Sequence, residues 1–217
     1  MVGNDVVDLM DPDSDPSTLS ARFDERVMSR AERDQMARAV DEPSERWCLW
    51  AAKEAAYKLA RRCNAKLIFS PVRFGVELDP AEPGTTERRG RVHHDGLVQG
   101  VRVWCDHESV HAVAAHPSPS HCDVSVVHGV LRLPEGDAEL ESPDGPGRVV
   151  RRLARLEIAR ALDAPTETIE IRREQRMPVV YRDGRPADVP LSLSHHGALV
   201  AWAFRVDDSH RRQRLAS

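Results

Sequence analysis

The sequence predicts an α+β protein built as a pseudo-dimer of two similar α+β lobes. Three observations carry this. Apolar residues recur at helical period over residues 20–40, 43–63 and 149–162, while short apolar or alternating runs bounded by turn residues fill most of the rest. The order strand, helix, strands occurs twice, and the halves close alike, Ser109-Val110-His111-Ala112-Val113-Ala114 beside Gly197-Ala198-Leu199-Val200-Ala201-Trp202. A Pro/Ser stretch, His116-Pro117-Ser118-Pro119-Ser120, divides them, which gives lobes at residues 1–117 and 118–217.

Taken in order, Val6, Val7 and Leu9 mark a first strand that ends at the Asp/Pro-rich residues 11–16. A helix over 20–40 follows, with Phe23, Val27 and Met36 among its apolar positions. Pro43 suits the first turn of a second helix that runs to Cys63. Strands are predicted at 72–78, 90–104 (with a break) and 110–115. The second lobe repeats this with a strand at 124–133, a Gly/Pro/acidic loop at 134–146 and a helix at 149–162. Strands at 169–171, 179–181, 191–194 and 199–204 complete it, and the tail from 207 is polar.

The bulk properties exclude several classes. The 217 residues are 41% hydrophobic and 30% charged, with a net charge of −4, which leaves no domain-wide basic excess for coating nucleic acid. The first residues are acidic where a signal peptide starts basic, and no apolar run reaches membrane-spanning length. Cys48, Cys63, Cys105 and Cys122 are scattered without a C-x-x-C pair, so they read as reduced core residues of a cytoplasmic protein.

Three segments carry chemistry. On the second helix, Trp47, Trp50, Glu54 and Lys58 share one face, and Glu54 and Lys58 stand one turn apart. Spacing alone also fits a surface ion pair, but this pair shares its face with two tryptophans, where a helix turns toward its core. In the first strand, Asp5 faces one side and Val6 and Asp8 the other. Asp5 is either an exposed edge position or one of two carboxylates that converge with Glu54 and require a cation or a proton between them. Magnesium suits such a site, since it takes few carboxylate oxygens and completes its shell with water and phosphate. In Leu191-Ser192-Leu193-Ser194-His195-His196-Gly197, alternation puts the leucines on one side and the serines on the other. No G-x-S-x-G elbow accompanies them, which argues against an acyl-transfer hydrolase.

Together these segments resemble the 4′-phosphopantetheinyl transferases. Trp50-x-x-Lys53-Glu54-Ala55-x-x-Lys58 looks like the family's W-x-x-K-E-A-x-x-K signature, Gly3-x-Asp5 like its G-x-D, and Ser192-x-Ser194-His195 like its S-x-S-H. Arg22-Phe23 through Glu32 resembles the first helix of the short acyl-carrier-protein synthases, and Arg176-Met177-Pro178 the segment before S-x-S-H. Compared with the two-lobed members, the acidic lobe comes first, so the chain resembles either a circular permutation of that plan or a fused pair of short-type units.

The resemblance implies an enzyme that moves phosphopantetheine from coenzyme A to a serine of an acyl or peptidyl carrier protein. Asp5 and Glu54 would bind Mg²⁺, and Asp5, Glu54 and Lys58 would form the catalytic set. Ser194, His195, Lys53, Lys58, Arg148 and Arg176 would hold the coenzyme. Two lobes in one chain imply that a monomer suffices. Three departures follow. Val7 stands where two-lobed members place a second metal-binding acid, Met177 where a lysine precedes the proline, and His196 where a serine is common. Leu67-Ile68-Phe69 is either core or a docking patch for the carrier. The alternatives are a non-catalytic coenzyme-binding or carrier-binding relative, a zinc site at His107-x-x-x-His111, and nucleic-acid binding through Arg148, Arg151, Arg152, Arg155 and Arg160.

Overall fold

The computed structural model describes residues 1–20, 22–82, 84–116, 126–134, 142 and 144–206. The expected lobe boundary, Cys122, most of the 134–146 loop and the tail from 207 lie outside the described residues. The chain is α+β. Its elements run β1 (Val2–Asp8), α1 (Phe23–Val27), α2 (Arg30–Met36), α3 (Glu42–Cys63), β2 (Gly75–Leu78), β3 (Glu87–His94), β4 (Leu97–Cys105) and β5 (Ser109–Ala115). They continue with β6 (Val126–Arg132), α4 (Gly145–Leu162), β7 (Ile169–Glu174), β8 (Met177–Arg182), β9 (Arg185–Pro186), β10 (Leu191–His196) and β11 (Leu199–Arg205).

The N-terminal elements form one five-stranded antiparallel sheet in the order β1-β5-β4-β3-β2. The C-terminal strands form two three-stranded sheets, β10-β11-β6 and β7-β8-β9. Helix α3 starts where the Asp41 side chain accepts from the Ser44 N–H, with Pro43 in its first turn. It lies across the five-stranded sheet through Ala51, Ala52, Ala55 and Ala56, all fully buried. Their small side chains allow close approach, and Gly3 of β1 takes this furthest. A Cβ there would stand 2.1 Å from the Ala55 carbonyl oxygen and 2.7 Å from the Leu59 nitrogen.

Strand β1 is an edge strand in its own sheet, yet all seven of its residues are buried. Helix α3 packs against it, and so do β10 and β11 of the C-terminal part. The junction is also polar. The Asn4 N–H donates to Ser192 Oγ at 2.9 Å, and Arg132 of β6 grips Asp8 with two nitrogens, at 3.0 and 2.9 Å.

Several predicted boundaries moved. The helix expected over 20–40 is two short helices, because Ser29 and Glu32 form a capping box that starts a new helix. The run 90–104 is a hairpin that turns at Asp95 and Gly96, both with positive φ. Strand β2 begins only at Gly75, after a single turn of 3-10 helix at Pro71–Arg73. Helix α4 starts four residues earlier than expected, at Gly145. Leu67 and Phe69 pack on the core while Ile68 is 84% exposed. Cys48 is buried, Cys105 half-buried and Cys63 exposed, so the reading of all as core residues holds for Cys48 alone among the described ones. His107 is exposed beside a turn and His111 buried within β5, and among the described residues no three potential ligands gather for a metal.

Candidate active site

Strand β1, helix α3 and strand β10 converge on one open pocket of about 320 Å³. Asp5 reaches it from β1, Glu54 and Lys58 from α3, and Ser194 and His195 from β10; Trp47, Trp50, Val6 and Val7 add apolar wall. Asp5, Lys58 and Ser194 close a triangle. Lys58 Nζ lies 2.7 Å from Asp5 Oδ1 and 3.1 Å from Ser194 Oγ, and Ser194 donates to the same Asp5 oxygen at 2.8 Å.

The electrostatics single out Glu54. Burial, and then the charge of Asp5, push its pKa up to about 7, only partly countered by Lys58. A carboxyl held this way gains from a cation or a proton placed beside it. His195 is shifted down, by desolvation first and by Lys58 next. His196, beside it on the pocket wall, accepts at Nδ1 from the Asp8 backbone N–H, 3.2 Å away. An amide N–H can only donate, so a neutral His196 ring carries its hydrogen on Nε2.

A second cleft of about 240 Å³ shares Leu193 and His195 with the first. Arg151 of α4 and Arg173 and Arg176 of the β7–β8 hairpin line it, making it strongly cationic. Arg176, expected from the resemblance to hold the coenzyme, lines this cleft together with His195. Arg148 is not on this wall; it donates to Ser142 Oγ at 2.8 Å. Arg151 and Arg173 were missed. The sequence offers Arg151 only among the arginines of the nucleic-acid alternative, and nothing in spacing separates it from its neighbours.

Lys53 is also placed elsewhere. It is fully buried, donating to both carboxylate oxygens of Glu32 at 2.7 and 2.8 Å and to the Pro71 and Phe74 carbonyls. Its expected contact with the coenzyme is corrected: the ammonium ties α2 and the segment before β2 to α3, and no donor is left to face the pocket. Its pKa is lowered, by burial foremost, against the Glu32 charge.

Asp8 is a third residue that the sequence did not assign to the site. Besides Arg132, it accepts from the backbone N–H groups of Ala198 and Met10. Gly197 lies hard against it, with φ +52 and a would-be Cβ 2.7 Å from Asp8 Oδ2 and 2.5 Å from Asp11 Oδ2. The turn after His196 is thus pinned to the end of β1, which fixes β10 over the pocket.

An α+β frame carrying two carboxylates, a lysine and a Ser-His strand around one pocket fits a transferase that handles anions. Residues 1–115 match the family model of the 4′-phosphopantetheinyl transferase superfamily, and the chain belongs to that superfamily. The matched span includes Asp5, Glu54 and Lys58 and ends before Ser194 and His195. No curated protein matches the chain. No helix among the described residues is long and apolar enough to cross a membrane.

Proposed function

We propose that the chain transfers phosphopantetheine from coenzyme A to a serine of an acyl or peptidyl carrier protein, releasing 3′,5′-ADP. The observation that carries this reading is the elevated Glu54 carboxyl beside Asp5, faced across the pocket by Ser194 and His195. A carboxylate whose proton affinity is raised by burial and by a neighbouring carboxylate suits a hard cation, and Asp5 and Glu54 are the residues that would hold Mg²⁺. Bound there, the ion supplies charge neutralisation for the pyrophosphate of the coenzyme.

The chain's own residues do the rest. Lys58 offsets the charge that develops as the phosphoanhydride opens. Glu54 takes the proton from the carrier serine as its oxygen bonds to phosphorus on the pantetheine side. His195 and the Nε2–H of His196 donate to phosphate oxygens from β10, while Ser194 keeps its hydrogen on Asp5 Oδ1 and orients that carboxylate and Lys58. Arg151, Arg173 and Arg176 hold the remaining phosphate in the cationic cleft beside them. The two halves then act as the lobes of a pseudo-dimer that share one site, and a monomer suffices.

Intact-mass analysis of an apo carrier incubated with the enzyme, coenzyme A and Mg²⁺ tests the reading. A phosphopantetheine-sized gain that requires both Mg²⁺ and Glu54 is expected across at least one carrier of a fatty-acid, polyketide and peptide panel. Val7, apolar on the pocket wall where the resemblance expects an acid, favours one second reading, a binding relative without turnover. No gain on any carrier, from protein that still binds coenzyme A, would select it.

A further inference from the structure

Among the described residues, four two-residue loops close hairpins, and one of them is built differently. Asp95-Gly96 and Asp183-Gly184 carry the residues that left-handed turns favour, and Gly197-Ala198 opens on glycine. Gln175-Arg176, between β7 and β8, has no glycine, asparagine or aspartate, yet both residues are left-handed, at φ +47 and +67. A side chain in that region crowds the following carbonyl. The conformation therefore costs stability and persists only where surrounding contacts impose it. This turn places Arg176 on the wall of the cationic cleft, with Arg173 just before it.

One such contact comes from α3. Glu54, Lys58 and Arg62 follow one another at one-turn intervals along that helix. Glu54 and Lys58 enter the pocket, whereas Arg62 reaches past it to β8, where its Nη2 donates to the Pro178 carbonyl at 3.4 Å. Pro178 also lines the cleft, and it faces Arg173 one step beyond Glu174 and Met177, the pair that closes the loop. In that register its carbonyl points away from β7 and is open to a donor from outside the hairpin. Among the described residues, α3 reaches the C-terminal strands by two hydrogen bonds, Lys58 to Ser194 and Arg62 to Pro178. Arg62 is half-buried, and burial holds its guanidinium below the ordinary pKa. The C-terminal end of a helix favours a cation, but it does not require one aimed at a neighbouring hairpin.

We propose that Arg62 is a positioning residue for the cationic cleft: its bond to Pro178 braces the β7–β8 hairpin against α3 and so holds the Gln175-Arg176 turn in its left-handed form. The inference rests on the coenzyme reading above. Arg62 touches no substrate. It fixes the cleft relative to the helix that carries Glu54, so a phosphate held by Arg173 and Arg176 keeps one spacing from the reacting group.

Calorimetric titration with coenzyme A and Mg²⁺, together with hydrogen exchange of the hairpin, tests this on the full chain. Arg62→Met keeps the apolar stem and removes the donor. It should speed amide exchange over β7 and β8 several-fold and weaken coenzyme binding about fivefold. Arg62→Lys, which can still donate to one carbonyl, should bring both back to within about twofold of the parent. On a background of Arg173→Ala and Arg176→Ala, Arg62→Met should cost less than about twofold, because no hairpin arginine remains to be aimed. On Arg151→Ala, whose arginine sits on α4, the full loss should persist. A loss equally large without the two hairpin arginines would overturn the proposal, and so would unchanged exchange. A parent chain that does not bind coenzyme A would sink the transferase reading instead, and exchange would still decide whether Arg62 braces the hairpin.

Discussion

Gly3 of β1 and Ala55 of α3 are packed so closely that a Cβ on the glycine would lie 2.1 Å from the alanine carbonyl oxygen. This approach carries Asp5, two residues on, to the flank of α3 that bears Glu54 and Lys58. The atoms in the way are backbone, so no rotamer change relieves the clash. Gly3→Ala should lower stability by roughly 1–3 kcal/mol, read as a fall in Tm. It should also weaken Mg²⁺ and coenzyme binding in the protein that remains folded. An unchanged Tm would mean that strand and helix part freely.

Glu54 gives a pH dependence with a definite sign. Its pKa is raised from 4.5 to about 7 in the fold, so folding favours its protonated form. The associated stability is complete below about 4.5 and is lost as pH rises through about 7. Without metal, Tm should therefore decline across that window, and Glu54→Gln should flatten the decline. Added Mg²⁺ should raise Tm more at pH 8 than at pH 6, where the proton competes for the same oxygens. A Mg²⁺ effect independent of pH would remove Glu54 from the metal site. Transfer activity should be abolished in Glu54→Ala.

The arginine-lined cleft predicts a separation of substrates. Arg151→Ala and Arg176→Ala should each raise the KM for coenzyme A about tenfold or more, the loss of one charge-assisted contact. The KM for the carrier protein should stay within about twofold of the parent. Arg148→Ala should change coenzyme KM far less than Arg151→Ala, since it lies off this wall. Steady-state kinetics with each substrate varied in turn decides this.

Lys53 and Glu32 predict a structural phenotype. Both are buried, and removing the lysine leaves a carboxylate without its counter-charge, at a cost of about 3–5 kcal/mol. Lys53→Met should lower Tm by roughly 10 °C. Coenzyme affinity measured in the cold on the folded fraction should stay within about twofold. A selective loss of coenzyme affinity at unchanged Tm would return Lys53 to the binding set.

The Asp8–Arg132 clasp depends on pH in the opposite sense. Burial pushes Asp8 up, but the bonds from Arg132 and from the Ala198 and Met10 amides outweigh it, leaving its pKa below the usual carboxylate range. Its contribution is present above the unfolded value and fades as pH falls through the folded one. Arg132 is partly exposed, so solvent screening limits Arg132→Ala to about 1 kcal/mol at neutral pH. The Tm gap between parent and variant should narrow in acid.

Much of this was legible because it is local. Asp41, Pro43 and a steady helical period announced α3, and the i,i+4 relation of Glu54 and Lys58 followed from it. The Ser29-x-x-Glu32 capping signal was equally visible, yet the apolar period running through it suggested one continuous helix. Lys53 carried a warning, since it shares a helix face with the buried Leu49, Ala56 and Ala60. On α4 it is Arg151 rather than Arg148 that lines the cleft, and which arginine faces it depends on how α4 packs on β10 and β11, which helical spacing does not set. The meeting of β1 with β10 is a different matter. No spacing rule joins residues so far apart, and only the resemblance carried by three separate motifs brought Asp5 and Ser194 together on paper.

Asp5 and Ser194 are 189 residues apart, and they share a hydrogen bond. A ribosome making this chain thus completes one wall of the pocket well before it supplies the other. The nascent protein can lay down α3 and its sheet while β10 has still to be made, and until β10 docks on β1 the Asp5 carboxylate lacks its Ser194 partner.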